Sequence, residues 1–272
     1  MLMDDIQNQK DDRCIPIDQV GVSNLRYPII VLDREHETQH TIANLTLSVN
    51  LQHHFKGTHM SRFIEVLNEH RGEITMRTVP TILHKIKNRL EAESAHMDVE
   101  FPYFLERRAP QSEACGLVDY DCFFKSTSKQ DHDDFVLGVR VPVTTLCPCS
   151  KAISDYGAHN QRGYITVEVR TMPSIGEGPT IIWIEELIEV AETSASAPVY
   201  ALLKRADERH VTMQAYDNPV FVEDIVRGVA AKLQSNSRVS WFRVQAVNHE
   251  SIHNHNAFAQ LEWLRPSNNN YR

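Results

Sequence analysis

The chain has 272 residues, of which 42% are hydrophobic and 24% charged, and its formal net charge is −8. This length accommodates one large domain or two modules of roughly 130 residues, and either can bury a full core. The negative charge argues against general nucleic-acid binding, and no apolar run approaches the roughly 18 residues that a membrane span needs.

The start of the chain and its cysteines favour a reducing compartment. Residues 1–10 are acidic and polar, whereas a signal peptide would carry a basic segment followed by an apolar one. The five cysteines are an odd number and are unevenly spaced, which does not suit a secreted disulfide framework. We therefore expect a cytoplasmic protein with no membrane and no nucleic-acid partner.

The first half of the sequence predicts a short arm and one module. Residues 1–22 contain few apolar anchors, so we expect a flexible N-terminal arm there. Residues 23–130 form the first module, in which alternating apolar residues predict strands and i, i+3, i+4, i+7 spacing predicts helices. In chain order we expect strands at 27–32 and 40–50, helices at 58–70 and 79–92, and strands at 97–106 and 116–125.

The second half repeats this order. The polar stretch 126–134 predicts a turn or linker, and we place the boundary there, so that residues 131–272 form the second module. Proline and glycine interrupt the pattern at 173–179. We expect strands at 135–146 and 163–172, helices at 182–193 and 218–234, and strands at 239–249 and 257–264.

Each half thus has the order strand, strand, helix, helix, strand, strand. This order predicts an α+β fold of two tandem modules with antiparallel sheets. Sheet edges left open must be covered or paired. We therefore expect a homo-oligomer in which several chains continue the sheet into a barrel.

The densest group of reactive side chains lies at residues 145–163. Cys147 and Cys149 are two apart across Pro148, so in an extended backbone both thiols would leave the same face. A thiolate is a nucleophile and a soft metal ligand, and His159 adds a further ligand or a proton carrier. The alternative is a pair of buried small hydrophobic residues at the end of a strand.

Two histidines form a second candidate group near the last strand. His253 and His255 are also two apart, so in an extended backbone their rings would project to one side. With Cys147 and a carboxylate they would form a mixed site suited to Zn, Fe or Mn, and such a site activates water. The alternative is a solvated polar turn.

Charged residues supply candidates for substrate binding. Glu208 lies near a helix end, and Glu223 lies in the first turns of the last helix, where it could accept two hydrogen bonds from an edge such as that of guanine. Arg162, Lys204 and Arg205 are candidates for a polyanionic ligand. Ordinary surface charge is the alternative for each. The sequence contains neither a P-loop nor a dinucleotide-binding glycine motif.

Six blocks, in order, resemble the prokaryotic type IB GTP cyclohydrolase I family. The resemblance extends over about residues 12 to 264, and it is specific because all six blocks occur together. The blocks are GTHMSR at 57–62, TTLCPCSK at 144–151, GAHNQRG at 157–163, LKRADE at 203–208, NPVFVED at 218–224 and ESIHNH at 250–255.

The resemblance implies a tunnelling fold, assembled as a homotetramer. It also implies a metal-dependent enzyme, using Mn, Fe or Zn, that converts GTP and water into 7,8-dihydroneopterin triphosphate and formate. This reaction begins tetrahydrofolate synthesis and can also serve queuosine synthesis. Within the same fold, the alternatives are a cyclohydrolase that releases a cyclic-phosphate product and a nitrile reductase, whose lysine-rich cofactor motif we do not find. A non-catalytic metal-binding protein is the alternative from another class.

The resemblance also implies roles for individual residues. The expected metal ligands are Cys147, Glu208 and His253, the expected catalytic residues are Cys149, His159 and His255, and the expected substrate-binding residues are Glu223, Arg162, Lys204 and Arg205. The division of ligand and acid–base roles among the cysteines and histidines stays open at this point.

Overall fold

Nine strands and six helices make up the described part of the chain. The structure is a computed structural model that describes residues 6–7, 9–70, 73–130, 132–173 and 180–266. The strands are β1 (Ile17–Asp33), β2 (Glu37–Leu51), β3 (Ser94–Arg108), β4 (Cys115–Lys129), β5 (His132–Leu146), β6 (Asn160–Thr171), β7 (Ala197–Pro198), β8 (Val239–His249) and β9 (Ala257–Leu264). The helices are α1 (Met60–Glu69), α2 (Val79–Leu90), α3 (Pro148–Ile153), α4 (Ile184–Glu192), α5 (Arg205–Asp217) and α6 (Val222–Ser235).

The strands belong to an antiparallel sheet, as the alternating patterns predict. The chain divides into two compact units, one of Met1–Pro102 with Phe123–Val136 and the other of Tyr103–Cys122 with Leu137–Arg272. The boundaries between these units fall inside β3, β4 and β5. The division into modules at residue 130 stays a prediction.

The first unit packs two helices on its strands. β1 pairs with β2, and β2 pairs with β3 in a register that puts Leu47 opposite Met97. Alternate residues of β2 are fully buried because one face of an antiparallel strand points into the core. Helices α1 and α2 contact β1 and β2 through apolar faces, whose buried residues are Phe63, Val66, Leu67, Val79, Ile82, Leu83 and Ile86.

The second unit carries every predicted site residue. Its strands pair in the order β5, β6, β8, β9, and β7 adds a short pairing to β5. Helices α4 and α6 pack against these strands, and the apolar residues of β5, β6 and β8 that lie beneath them are fully buried. The segment between β5 and β6, which includes α3, carries the candidate thiols and His159, and the loop after β8 carries His253 and His255.

Three predictions about local structure differ from the structure. The turn or linker predicted at 126–134 is only a short connection, because β4 continues to Lys129, a turn follows at residue 130, and β5 begins at His132. Strand β1 begins at Ile17, so residues 17–22 of the predicted arm are strand. Helix α3 was not expected, and α5 was expected only as a helix end near Glu208. Residues 1–5 and 8 of the predicted arm and 174–179 of the predicted break lie outside the described residues.

The described helices include none that is both long and apolar enough to cross a membrane. The longest of them, α6, has 14 residues.

Candidate functional site

The thiol block begins where β5 ends. Cys147 has an extended backbone and caps helix α3, whose first residue is Pro148. Proline suits this position because the first amide of a helix has no partner inside the helix. The Cys147 sulfur accepts a hydrogen bond from the Ser150 amide at 3.4 Å. The condition for both thiols to leave one face, an extended backbone through both cysteines, is therefore not met, since Cys149 lies in the first turn of α3 and is exposed.

His159 lies beside the thiol block. The Cys147 amide donates to the His159 carbonyl oxygen at 3.2 Å. The Ser150 hydroxyl donates to the Cys147 carbonyl oxygen at 3.2 Å and accepts from the His159 amide at 3.3 Å. These three bonds fix the backbones of α3 and of the segment before β6 against each other, so that the thiol and the imidazole share one neighbourhood.

The imidazole ring of His159 is oriented by its neighbours. Its Nδ1 lies 2.9 Å from Gln161 Oε1, which can only accept, so this nitrogen carries the proton. Ser251 Oγ and Glu250 Oε2 lie 3.3 and 4.0 Å from the same nitrogen, and Gln161 Nε2 donates to Glu250 Oε1 at 3.3 Å. With Nδ1 donating to Gln161, the neutral form of the ring presents the lone pair of Nε2 to a substrate proton or a metal ion.

Gln161, Glu250 and Ser251 were not among the predicted site residues. Gln161 is two residues from His159 along the chain, so strand alternation could have pointed to it. Glu250 and Ser251 follow β8, and they reach His159 only because β8 pairs with β6, with Arg162 opposite His249. No local sequence signal carries that pairing.

The remaining predicted residues lie on neighbouring elements. Arg162 is on β6 opposite Thr144 of β5. Lys204, Arg205 and Glu208 are exposed at the start of α5.

Glu223 is exposed in the first turn of α6. The start of this helix is held close to the thiol block, because the Val220 amide donates to the Leu146 carbonyl oxygen at 3.1 Å.

The two histidines of the last loop lie close to each other. The rings of His253 and His255 stack with centroids 5.1 Å apart and an interplanar angle of 20°. Their loop is bent and exposed, and not extended.

The candidate site contains side chains of the types that bind a divalent metal ion, but these side chains are not assembled into a metal site. A thiol and an imidazole whose second nitrogen is held by an amide are typical ligands of a divalent ion. Among the described residues, however, no group of three or more His, Cys, Asp or Glu side chains lies close enough to hold a metal ion. The predicted set of Cys147, Glu208 and His253 is thus not brought together within the described part of this chain.

A buried carboxylate anchors the start of α5. Asp207 is fully buried and accepts hydrogen bonds from Gln111, Ser112 and Lys204. Burial alone would raise the pKa of this carboxyl group. The bonds from the Ser112 hydroxyl and from the three backbone amides outweigh burial and hold its pKa well below the ordinary value of 3.8. Asp207 is therefore ionised throughout the neutral range.

Comparison with known proteins identifies the family. Residues 3–259 match the family model described as type I GTP cyclohydrolase folE2. The chain belongs to this family. The GTP cyclohydrolase FolE2 of Syntrophus aciditrophicus is 56% identical over 260 residues, covering 96% of this chain and 99% of the relative. That of Syntrophotalea carbinolica is 55% identical over 261 residues, covering 96% and 95%.

Solved structures show the same fold at very low sequence identity. A highly active mutant of Bacillus sp. TB-90 urate oxidase gives a TM-score of 0.56 at 9% identity, covering 92% of this chain and 100% of that one. The uricase of Arthrobacter globiformis gives 0.52 at 7% identity, covering 92% and 94%. These are tunnelling-fold proteins, so the predicted α+β tunnelling fold of the FolE2-family chain is confirmed.

Proposed function

We propose that this chain is a GTP cyclohydrolase I of the prokaryotic type IB. It hydrolyses GTP at C8 and releases 7,8-dihydroneopterin triphosphate and formate, as the first step of tetrahydrofolate synthesis, and the same product can serve queuosine synthesis. The reaction class is hydrolysis of a cyclic amidine. Family membership supports the proposal, and the observation that carries it is the orientation of His159, whose Nδ1 is held by Gln161 so that Nε2 stays available.

The guanine base is recognised by Glu223. A carboxylate can accept two hydrogen bonds from the N1–H and the amino group of guanine, and no other base offers this pair. Glu223 lies on a helix whose opposite face is buried in the core, which suits a residue that must hold a ligand at a fixed place.

The triphosphate is bound by the cations Arg162, Lys204 and Arg205. Lys204 and Arg205 are adjacent and exposed, so both can reach a polyanion. Arg guanidinium groups match phosphate oxygens in pairs, whereas Lys supplies a single mobile charge.

Proton transfer is assigned to the imidazoles. His159 accepts or donates a proton at Nε2 beside the purine ring, and His255 does the same beside the ribose during the later ring closure. Cys149, exposed in the first turn of α3, is placed in this proposal at C8, where its S–H polarises the carbon or supplies a proton.

The proposal includes a divalent ion, Mn, Fe or Zn, with Cys147, Glu208 and His253 as its ligands, and it requires these three side chains, which the described part of the chain does not bring together, to approach one another. When bound, such an ion supplies a Lewis acid that lowers the pKa of water. We further propose a homotetramer in the cytoplasm, in which chains continue the sheet into a barrel.

The decisive experiment measures formate released from GTP by purified protein that has been stripped with a chelator. Mn, Fe and Zn are then added back separately and the pterin product is analysed. We expect formate and dihydroneopterin triphosphate with at least one metal. A cyclic-phosphate product would identify the alternative cyclohydrolase, and metal binding without formate would favour the non-catalytic metal-binding protein.

A further inference from the structure

Helix α5 is held in place without an apolar face. Of its 13 residues, Arg205–Asp217, only Asp207 and Ala215 are buried. An isolated helix of this length is marginal in water, and helices in proteins normally gain their stability from a buried apolar stripe. One buried methyl group does not replace such a stripe, so other contacts must fix the position of α5.

Asp207 supplies the strongest of these contacts. Its Oδ1 accepts from the Gln111 and Ser112 amides at 2.7 and 2.8 Å. Its Oδ2 accepts from the Ser112 hydroxyl at 2.6 Å and from the Lys204 amide at 2.8 Å. Charge-assisted bonds of this kind are stronger than neutral ones, and a buried carboxylate that lost them would be costly. Asp207 thus ties the first turn of α5 to the turn between β3 and β4.

Weaker polar contacts support both ends of the helix. At the N-terminal end, Gln111 Nε2 lies 3.2 Å from His210 Nδ1, one turn after Asp207. At the C-terminal end, Lys151 Nζ donates to the Tyr216 carbonyl oxygen at 2.5 Å and lies 4.3 Å from the centre of the Tyr216 ring. The two ends are therefore fastened separately, and the N-terminal one depends on Asp207.

We propose that Asp207 is a positioning residue that fixes Lys204 and Arg205 for the triphosphate of the substrate. Its Oδ2 holds the backbone amide of Lys204 itself, and Arg205 is the next residue. Both cations project from a turn that apolar packing does not fix, so their placement depends on this carboxylate. The inference rests on the proposed function, in which these two cations bind the triphosphate.

The sign of the effect separates positioning from simple electrostatics. Asp207 carries a negative charge beside an anion site, and a negative charge there repels a triphosphate. If charge alone mattered, Asp207→Asn would tighten triphosphate binding. If Asp207 positions the cations, the same variant weakens binding, because Asn keeps only one accepting oxygen and its NH2 group then faces either the Lys204 amide or the Gln111 and Ser112 amides as a second donor.

The test is titration calorimetry of the full chain with inorganic triphosphate and, separately, with guanosine. We expect Asp207→Asn to bind triphosphate about tenfold more weakly, since small misplacements of binding groups are costly. Its guanosine affinity should stay within about twofold of the original. Triphosphate binding that is unchanged or tighter in Asp207→Asn would overturn the proposal.

A matched control separates positioning from loss of stability. Asp33 is another buried carboxylate, which accepts from the Glu35 and His36 amides at 2.9 and 2.8 Å and from Gln39 Nε2 at 3.4 Å. It is the last residue of β1, where the chain turns into β2 in the first unit, which carries no predicted site residue. Asp33→Asn should lower the melting temperature without weakening triphosphate binding. Equal weakening by both variants would mean that the effect is only structural.

Two further variants keep the outcome decisive. Should Asp207→Asn fail to fold, Ser112→Ala removes one of the four bonds and should weaken triphosphate binding by about threefold. No change in Ser112→Ala would then count against the proposal. Replacing Lys204 and Arg205 together by Ala tests the assigned phosphate site, and if triphosphate binding survives, that assignment and the role of Asp207 both fail. Formate release from GTP by the unaltered protein would still support the proposed function.

Discussion

Helices α5 and α6 follow one another in the chain and begin alike, yet they are held by different forces. Each has an acidic pair in its first turn, and the acid at the third position accepts from the amide of the capping residue. Helix α6 buries an apolar face, whose residues are Val222, Ile225, Val226, Val229, Ala230 and Leu233. Helix α5 has no such face and is fastened at its ends by polar groups.

This difference suits the roles that we propose for the two helices. Apolar packing fixes α6 along its length, so Glu223 is presented to the base from a rigid support. Helix α5 has no apolar face to fix it, so the placement of its cations is set at its N-terminal end by Asp207. Single substitutions in each helix test whether α5 and α6 are held in these different ways.

The largest effect is expected at Glu223. Glu223→Ala removes both hydrogen bonds to guanine, and bonds to a charged group contribute roughly 1.5–3 kcal/mol each. We therefore expect kcat/KM for formate release to fall about 10³-fold. The control is Asp224→Ala, the next residue, which should change kcat/KM by less than about fivefold. Similar losses of kcat/KM in both variants would show that the substitutions disturb the fold of the first turn of α6, and that the effect is not specific to the Glu223 carboxylate.

The stability of the two helices should respond very differently to truncation. Ile225 is fully buried in α6, so Ile225→Ala should lower the free energy of unfolding by about 3 kcal/mol. Met213 is 47% exposed in α5, and Met213→Ala should change the free energy of unfolding by less than about 0.5 kcal/mol. Urea unfolding of both variants measures this, and equal losses would mean that α5 has an apolar anchor in the assembled protein.

The acid at the start of α5 should give stability a pH dependence. Because folding lowers the pKa of Asp207, its contribution is complete above its unfolded value of about 3.8 and is lost as the pH falls toward the lower folded value. The melting temperature of Asp207→Asn should therefore lie below that of the original protein at pH 7, and this gap should narrow below about pH 4. A difference in melting temperature that stays constant from pH 7 to below pH 4 would contradict a lowered pKa of Asp207 in the folded protein.

Periodicity explains which elements the sequence predicts. Helices α1, α2, α4 and α6 were found because each repeats apolar residues at helical spacing. Helix α3 has only six residues, and α5 lacks an apolar stripe, so neither leaves a periodic signal. The turn or linker predicted at 126–134 is longer than the connection in the structure, because Ser126 and Ser128 are polar yet buried in β4.

The candidate site was predictable where its residues are close in sequence. Cys147 and His159 lie in one dense block, and the structure brings their backbones within hydrogen-bonding distance. Glu250 and Ser251 were missed because their contact with His159 depends on the pairing of β6 with β8. Asp207 was missed because its burial depends on Gln111 and Ser112, which lie about 95 residues away in the chain.

The smallest effect is expected at the far end of α5. Lys151→Met keeps the aliphatic stem but removes the charge that caps Tyr216 and lies over its ring. Exposed contacts of these kinds contribute about 0.5–1 kcal/mol, so the loss should be local fraying more than global destabilisation.

Amide hydrogen exchange measures this fraying directly. The Asn218 amide, which donates to the Gln214 carbonyl oxygen at 3.1 Å, should exchange several-fold faster in Lys151→Met, whereas amides of α6 should not change. Triphosphate affinity should stay within about twofold, because the cations are fastened at the opposite end by Asp207. If Lys151→Met weakened triphosphate binding as strongly as Asp207→Asn does, the contacts at the two ends of α5 would be energetically coupled. The two ends would then not be held independently of each other.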